Sequence, residues 1–316
     1  MLVTEALFKS ELGGIQSSLA FKTVEPFLKI ADRTFKQKIG IELYNTLLVP
    51  AEELEELSNI ARGIVSWSGF ELAFPHLKMK AGDLGLMKSS PNNTVAITKW
   101  EYVDSKEAIV QIIDKLSEDF YELLEELAPQ AWKESAAYKK RNRLFINSAT
   151  TLGQKITLVG RNNRFFDVLT TYIQRAENTY IRPLLTPTVF LQLKEKWQNA
   201  AELTKQEEEL IELIQWALAY LSMFEAYPYL PMVVDQNGMR ETRYKDGTRE
   251  EEMAGDKPKN AQRQALWNDG QGFLKDIEAY LDTTATATVF SGYYTQNLII
   301  NPVEPDDYTD KAHVML

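Results

Sequence analysis

The sequence has no cysteine and only two histidines, His76 and His313, among 316 residues. Without thiols there is no disulfide framework, thiolate metal site, cysteine nucleophile or cysteine-borne lipid anchor. Two imidazoles leave almost nothing from which to build a histidine metal cluster or a Ser-His-Asp triad. No Gly-x-Ser-x-Gly elbow, Walker loop or strand-linked Gly-x-Gly-x-x-Gly occurs. No stretch reaches the roughly 18 uninterrupted apolar residues of a membrane span. The start, Met1 to Glu5, lacks the basic region and apolar run of a signal peptide. Positive charge is also short, with 35 Lys and Arg against 45 Asp and Glu and a net charge of −10. Such a surface repels phosphate backbones on average. The expectations are therefore no cofactor, no bound metal, no membrane, no enzymatic activity, and DNA at most passing close by.

Apolar residues make up 44% of the chain, and 14 Phe, 14 Tyr and 6 Trp can supply a large core. The length suits two domains, and the chain compares well with itself. Ala73-Phe74-Pro75-His76-Leu77-Lys78-Met79 sets above Ala226-Tyr227-Pro228-Tyr229-Leu230-Pro231-Met232, an offset of 153. At the same offset Leu57 falls on Leu210, Gly85 on Gly238, Ala108 on Ala261, Phe120 on Phe273 and Leu124 on Ile277. Nearer the start of each copy the offset is 145, with Phe21, Ala31, Asp32, Thr34 and Phe35 on Phe166, Ala176, Glu177, Thr179 and Tyr180. The difference of eight residues reads as one insertion around Lys194 to Glu208. The shared positions are core residues, helix stops and turns, and no polar pair recurs as a site would, so the repeat reads as a scaffold copied for its shape.

The fold expected is mainly α, two tandem diverged copies of a helical unit, each with a small β-hairpin-like excursion, followed by an extended C-terminal tail. Unit 1 is residues 1–130, a linker with a basic run 131–160, unit 2 161–282 and the tail 283–316. Phe27, Ile30, Ala31, Phe35 and Ile39 mark a first helix from Thr23, stopped at Gly40. A second helix follows Pro50 and ends before Pro75; its counterpart opens on Thr204 and Glu207, a capping box. Asn237-Gly238 signals a tight turn, with a return strand to Tyr244 and a further turn at Asp246-Gly247. In copy one the turn is Gly82 to Gly85, so Gly85 and Gly238 are the repeat turn positions. A long helix then carries Ile109, Ile112, Ile113, Leu116, Phe120 and Leu124, with Asp104 and Glu107 at its start. Its partner, Pro258 to Leu281, is interrupted by Gly270 and Gly272.

Outside the repeat, Lys139, Lys140, Arg141 and Arg143 form the one local departure from an acidic surface. They read either as a contact for phosphate or an acidic partner, or as a solvated linker, which an isolated basic cluster favours. The run 283–290 is β-favouring, and Phe290, Tyr293, Tyr294, Leu298, Ile299 and Ile300 make the tail too apolar to be left in water. They are interface candidates, against the chain's own body or a neighbour. His76 has Tyr229 as its repeat partner, which points to packing. The glutamate clusters at 52–56 and 207–209 suit solvated helix starts, and Glu304, Asp306 and Asp307 lack EF-hand spacing.

The duplicated pattern, Ala31 to Phe35, Ile39-Gly40, Phe74-Pro75 and the Gly85 turn before a long helix, resembles helical phage and prophage head–tail connector (adaptor) proteins. The resemblance is to the uncharacterised duplicated type from phages of Bacteroidetes, across about residues 5 to 282. It implies a homo-oligomeric ring of a virion, assembled in the bacterial host cytoplasm, that contacts portal and tail or neck proteins. The simplest connectors have one copy of the helical unit, and this chain has two. The readings that stand beside it are a cytoplasmic helical protein-binding module and a carboxylate-dependent enzyme.

Overall fold

The computed structural model describes residues 1–13, 19–82, 85–88, 98–157, 159–230, 232–235, 238–241 and 256–300; for Lys78, the paired strands, Lys99, 256–259 and 297–300 it describes the backbone alone. Unit 1 gathers Met1–Asn142, Asn147–Val168 and Pro231–Gly255, and unit 2 Arg143–Ile146, Leu169–Leu230 and Asp256–Leu316. Copy one runs α1 (Glu5–Leu12), α2 (Phe21–Ile39), α3 (Ile41–Leu48), α4 (Glu55–Ala73), β1 (Met79–Gly82), β2 (Gly85–Lys88), α5 (Lys99–Leu127), α6 (Gln130–Lys133) and α7 (Ala136–Asn142). Copy two follows as α8 (Ala149–Lys155), α9 (Asn163–Ala176), a π-turn (Glu177–Ile181), α10 (Arg182–Leu185), α11 (Pro187–Gln198), α12 (Lys205–Ala226), β3 (Met232–Asp235), β4 (Gly238–Glu241), α13 (Asp256–Thr284) and α14 (Ser291–Ile300). The chain is thus mainly helical and duplicated.

The buried positions give the register of the copies. Val24, Leu28 and Ala31 match Leu169, Ile173 and Ala176, an offset of 145. Past the π-turn, Ile39, Leu43, Tyr44 and Leu47 match Leu185, Val189, Phe190 and Leu193, an offset of 146. A π-turn widens the helix by one residue without breaking it, and the extra residue is housed there. Leu57, Val65 and Ala73 match Leu210, Leu218 and Ala226, an offset of 153. The anticipated single insertion of eight is therefore one residue in the π-turn and seven where α11 runs on to Gln198 and the following loop. One aromatic stack recurs across the change of offset: Phe27 on His76 (5.0 Å) and Tyr172 on Tyr229 (5.8 Å). His76 is a packing residue.

The strands pair antiparallel, Met79 opposite Lys88 and Gly82 opposite Gly85 in one hairpin, Met232 opposite Glu241 and Asp235 opposite Gly238 in the other. Gly85 and Gly238 open the return strands. The second return strand ends at Glu241, and the turn expected at Asp246-Gly247 lies outside the described residues. Four more residues enter before the last long helix. Both α5 and α13 span 29 residues, ending at Leu127 and Thr284. Leu116 approaches Gly63 where Phe273 stacks on Trp216. The matches of Phe120 to Phe273 and Leu124 to Ile277 are corrected accordingly: Phe120 pairs with Ile277 and Leu124 with Leu281, all fully buried. Four residues are about 1.1 helical turns, so periodicity alone supports either register. The start of α5 is capped by a Thr98–Glu101 box, ahead of the expected Asp104. The Thr204–Glu207 box caps α12 as read. Gly270 does not interrupt α13; Leu221 fills the space that its Cβ would take, at 2.7 Å.

Residues 283–300 are not extended. Helix α13 continues to Thr284, and Thr286 Oγ1 then accepts the amides of Thr288 and Val289 to make a capped turn. Helix α14 follows and packs on α11, with Gly292 against Thr188 and Val189. The Thr286-capped turn and the packing of α14 on α11, with Phe290 buried, override the β-propensity of its Thr and Val residues. Residues 301–316 lie outside the described residues.

At the break after the first long helix, Gly40 has φ 92° and ψ 154°. Its counterpart Thr186 has φ 65° and ψ 149°, a region that is essentially glycine-only and costs about 1–3 kcal/mol. The neighbours have exchanged bulk. A Cβ at Gly40 would meet Ser135 Cβ at 2.8 Å, whereas Thr186 is faced by Gly292. Thr186 Oγ1 is also buried without a partner. Thr186→Gly should therefore raise stability by about 1 kcal/mol, the relieved strain outweighing lost burial and added chain entropy. Gly40→Thr should lower it by about 2–4 kcal/mol. Urea melts of the two variants check both signs.

Candidate functional site

A buried ion pair lies at the π-turn of unit 2. Glu177 and Lys194 are 3% and 7% exposed, and their charged atoms are 2.7 Å apart. Glu177 Oε1 accepts the Phe145 amide at 2.7 Å. Lys194 Nζ also donates to the Arg143 carbonyl at 2.5 Å and stands 3.9 Å from the Phe145 ring centre. Trp197 Nε1 donates to the Leu144 carbonyl and Gln215 Nε2 to the Phe145 carbonyl. The four-residue strap Arg143–Ile146 is thereby held almost wholly by side chains, which answers the need of its buried backbone for partners. Burial pushes the Glu177 carboxyl up and the Lys194 ammonium down, each partly offset by the other's charge. A cavity of about 420 Å³ opens beside the pair, with Arg143, Gln174, Asn178 and Gln198 among its lining.

Unit 1 has the same anchor in another form. Asp32, which aligns with Glu177, accepts the Leu2 amide on one oxygen (2.9 Å) and the Tyr44 hydroxyl on the other (2.7 Å). Burial and this bond to Asp32 push the Tyr44 hydroxyl pKa upward. In copy two Tyr44 is replaced by Phe190, which has no hydroxyl, and Leu48 by Lys194, which restores a donor. The carboxylate position thus recurs, while its side-chain donor moves from Tyr44 to the position of Leu48. Its signal, Asp32 over Glu177, was in the alignment, but the partner that each carboxylate holds lies far away in sequence.

Lys139, Lys140 and Arg141 lie in α7 and Arg143 follows it, so the run is mostly helical and not a linker. Lys139, Lys140 and Arg143 are exposed, but Arg141 is buried. Its guanidinium bonds Asp167 at 2.5 Å and Asn163 at 3.4 Å and lies 4.3 Å from the Tyr121 ring centre. Lys38 reaches the other oxygen of Asp167 at 3.2 Å. Asn163 is held in turn by Glu118, which takes its backbone and side-chain N–H groups at 2.6 and 2.8 Å. Burial raises the Tyr121 hydroxyl, against the lowering charges of Arg141 and Lys38. Helices α6 and α7 pack on α3 and α2, so residues 130–142 complete unit 1 instead of leaving it.

Of the tail candidates, Phe290 is 9% exposed, and Tyr293 donates to Asp282 at 2.8 Å. Tyr294 is half-buried, and the side chains of Leu298, Ile299 and Ile300 lie outside the described residues. The structure therefore brings Phe290 and Tyr293 onto unit 2 itself. Among the described residues no group of three or more His, Asp or Glu is placed to hold a metal ion, and no helix is long and apolar enough to cross a membrane.

A family model described as a family of unknown function (DUF6712) matches two tandem stretches, residues 24–142 and 181–297. The second match begins at Ile181, where the π-turn ends. No curated protein and no solved structure matches the chain.

Two outcomes follow from this chemistry. Lys194→Met should cost about 3–5 kcal/mol by leaving a buried carboxylate uncompensated, while Glu177→Gln with Lys194→Met should recover most of it. In the single variant the folded Glu177 holds its proton more tightly than the unfolded one does. Its deficit against wild type should therefore grow as pH rises through the ordinary glutamate range; urea melts at pH 5 and pH 8 measure it. Separately, Arg141→Lys should lose about 2–3 kcal/mol, because an ammonium cannot bond Asp167 and Asn163 together while stacking on Tyr121. Lys139→Ala and Lys140→Ala should stay within about 0.5 kcal/mol of wild type.

Proposed function

From the premise that the chain belongs to DUF6712, a family of unknown function, we propose that it is a non-enzymatic structural protein of a phage virion. In this reading it is a head–tail connector or adaptor subunit, assembling as a ring between portal and tail. What supports the reading is that the two copies keep shape while the buried carboxylate of Glu177 and the part-buried one of Asp32 are spent on internal partners. The anchor at Asp32 and Glu177, the break at Gly40 and Thr186 and the core positions recur. The strongly perturbed groups each serve a neighbour: Glu177 with Lys194, Tyr44 with Asp32, and Tyr180, pushed up to about 12 by burial and its bond to Glu225. A rigid body of this kind suits a subunit whose task is to occupy a fixed place around an axis. An acidic lumen, consistent with the net charge of −10, would let DNA pass without adhering.

Sedimentation velocity and negative-stain microscopy of the purified full chain test the proposal. Closed rings of many copies are expected, formed alone or on addition of a portal assembly. A chain that stays monomeric at high concentration and binds no portal would overturn it.

A further inference from the structure

Helix α2 of unit 1 carries its cations on one line. By helical periodicity, Lys22, Lys29, Arg33 and Lys36 fall within about 60° of one another on its outer side, with Pro26 and Gln37 beside them. The line runs about 21 Å along the helix. Lys22, Lys29 and Arg33 are exposed, Lys29 with 63% of its side chain. The acids of the helix leave most of this charge unanswered. Asp32 is turned to the Leu2 amide and the Tyr44 hydroxyl, and Glu25 pairs with Lys29 at 2.7 Å. Lys36 stands over the Tyr44 ring at 5.1 Å, and Glu42 lies past the end of the line, beside Gly40. Among the described residues, Lys22 and Arg33 enter no ion pair. The run from Lys139 to Arg143 is therefore not the sole departure from an acidic surface.

The fold does not need these charges. Copy two builds the same helix, continued through the π-turn, with Asp167, Gln174 and Asn178 where copy one has Lys22, Lys29 and Arg33. Asp167 is itself spent on Arg141 and Lys38. The positive line belongs to copy one alone, on a chain whose net charge is −10.

Its composition selects the partner. The core of a protein–protein contact is depleted in lysine and enriched in aromatic residues, whereas phosphates are taken by Lys, Arg and Gln. A single strand would need rings on which its bases could stack, and the line has none; Phe27 is occupied with His76. Double-stranded RNA is held through its 2′-hydroxyls as well, for which the line offers Gln37 alone. Duplex DNA asks only for a row of cations.

We propose that the outer face of α2 binds the phosphate backbone of duplex DNA through Lys22, Lys29, Arg33 and Lys36, without reading its sequence. The contact goes beyond the ring reading and does not rest on it.

Fluorescence anisotropy of a short labelled DNA duplex, titrated with the full chain between about 20 and 200 mM salt, tests the proposal. The logarithm of the binding constant should fall with that of salt at a slope of about −3 to −4. Lys22→Gln with Arg33→Gln should weaken binding at least about tenfold and flatten the slope by about 2, with an unchanged melting temperature. Lys115→Gln with Lys205→Gln removes the same charge from exposed sites on α5 and α12, and should bind within about twofold of wild type. No salt-dependent binding, or an equal loss in the control pair, overturns the proposal. So does tighter binding of a single strand or of duplex RNA. Displacement by polyglutamate as readily as by unlabelled duplex also overturns it and assigns the line to an acidic protein. A monomer that binds DNA in this way leaves the contact standing while the ring reading falls; a ring that ignores DNA does the reverse.

Discussion

Each copy depends on a carboxylate from its first long helix that captures a backbone amide from the segment running in ahead of it. Buried amides must find an acceptor, and Leu2 and Phe145 find theirs in Asp32 and Glu177. The two solutions differ in how the rest of the carboxylate is satisfied. Asp32 takes a neutral hydroxyl from Tyr44, whereas Glu177 takes an ammonium from Lys194. The second solution places two charges in the core and needs both present. It also reaches the strap with a longer side chain, from a helix widened by one residue. The π-turn, the loss of the Tyr44 hydroxyl and the gain of Lys194 therefore belong to one change.

Much of the architecture was legible in the sequence because it is written in local pattern. The helix from Thr23 to Ile39 with Ala31, Phe35 and Ile39 buried, the stop at Gly40 and the Thr204–Glu207 box each depend on residues within a few turns of each other, although Ile30 of the stripe is exposed. What failed was anything set by distant partners. Four residues inserted before α13 could not be seen, since a shift of about one turn returns apolar residues to the same face. Arg141 looked like part of a solvated cluster because Asp167 and Tyr121, which bury it, lie far along the chain. The Thr-rich run after Leu281 looked like strand because its propensity is local, while the packing of α14 on α11 is not. In the site itself, Glu177 was aligned with Asp32, but Lys194 lies 17 residues away and gives no signal of pairing.

Functionally, the comparison of the copies separates what is shared from what is free to differ. The anchor, the glycine-type break and the core are shared. Bulk is exchanged between partners, as Gly40 with Ser135 becomes Thr186 with Gly292, and Ser68 and Glu71 become Leu221 and Phe224. The first exchange leaves the local shape intact. The second moves bulk from Ile113 on α5 to Leu221 on α12, opposite Gly270, so the copies keep a common frame.

The central claim is that both copies are organised by a helix carboxylate holding an incoming backbone amide. Native-state hydrogen exchange at the Leu2 and Phe145 amides tests it most directly. The account predicts that both exchange only through large-scale opening, and that Asp32→Ala and Glu177→Ala each speed exchange at their own amide by at least a hundredfold while sparing the other. Fast exchange of either amide in the wild-type chain, or unchanged protection after its carboxylate is removed, would contradict it.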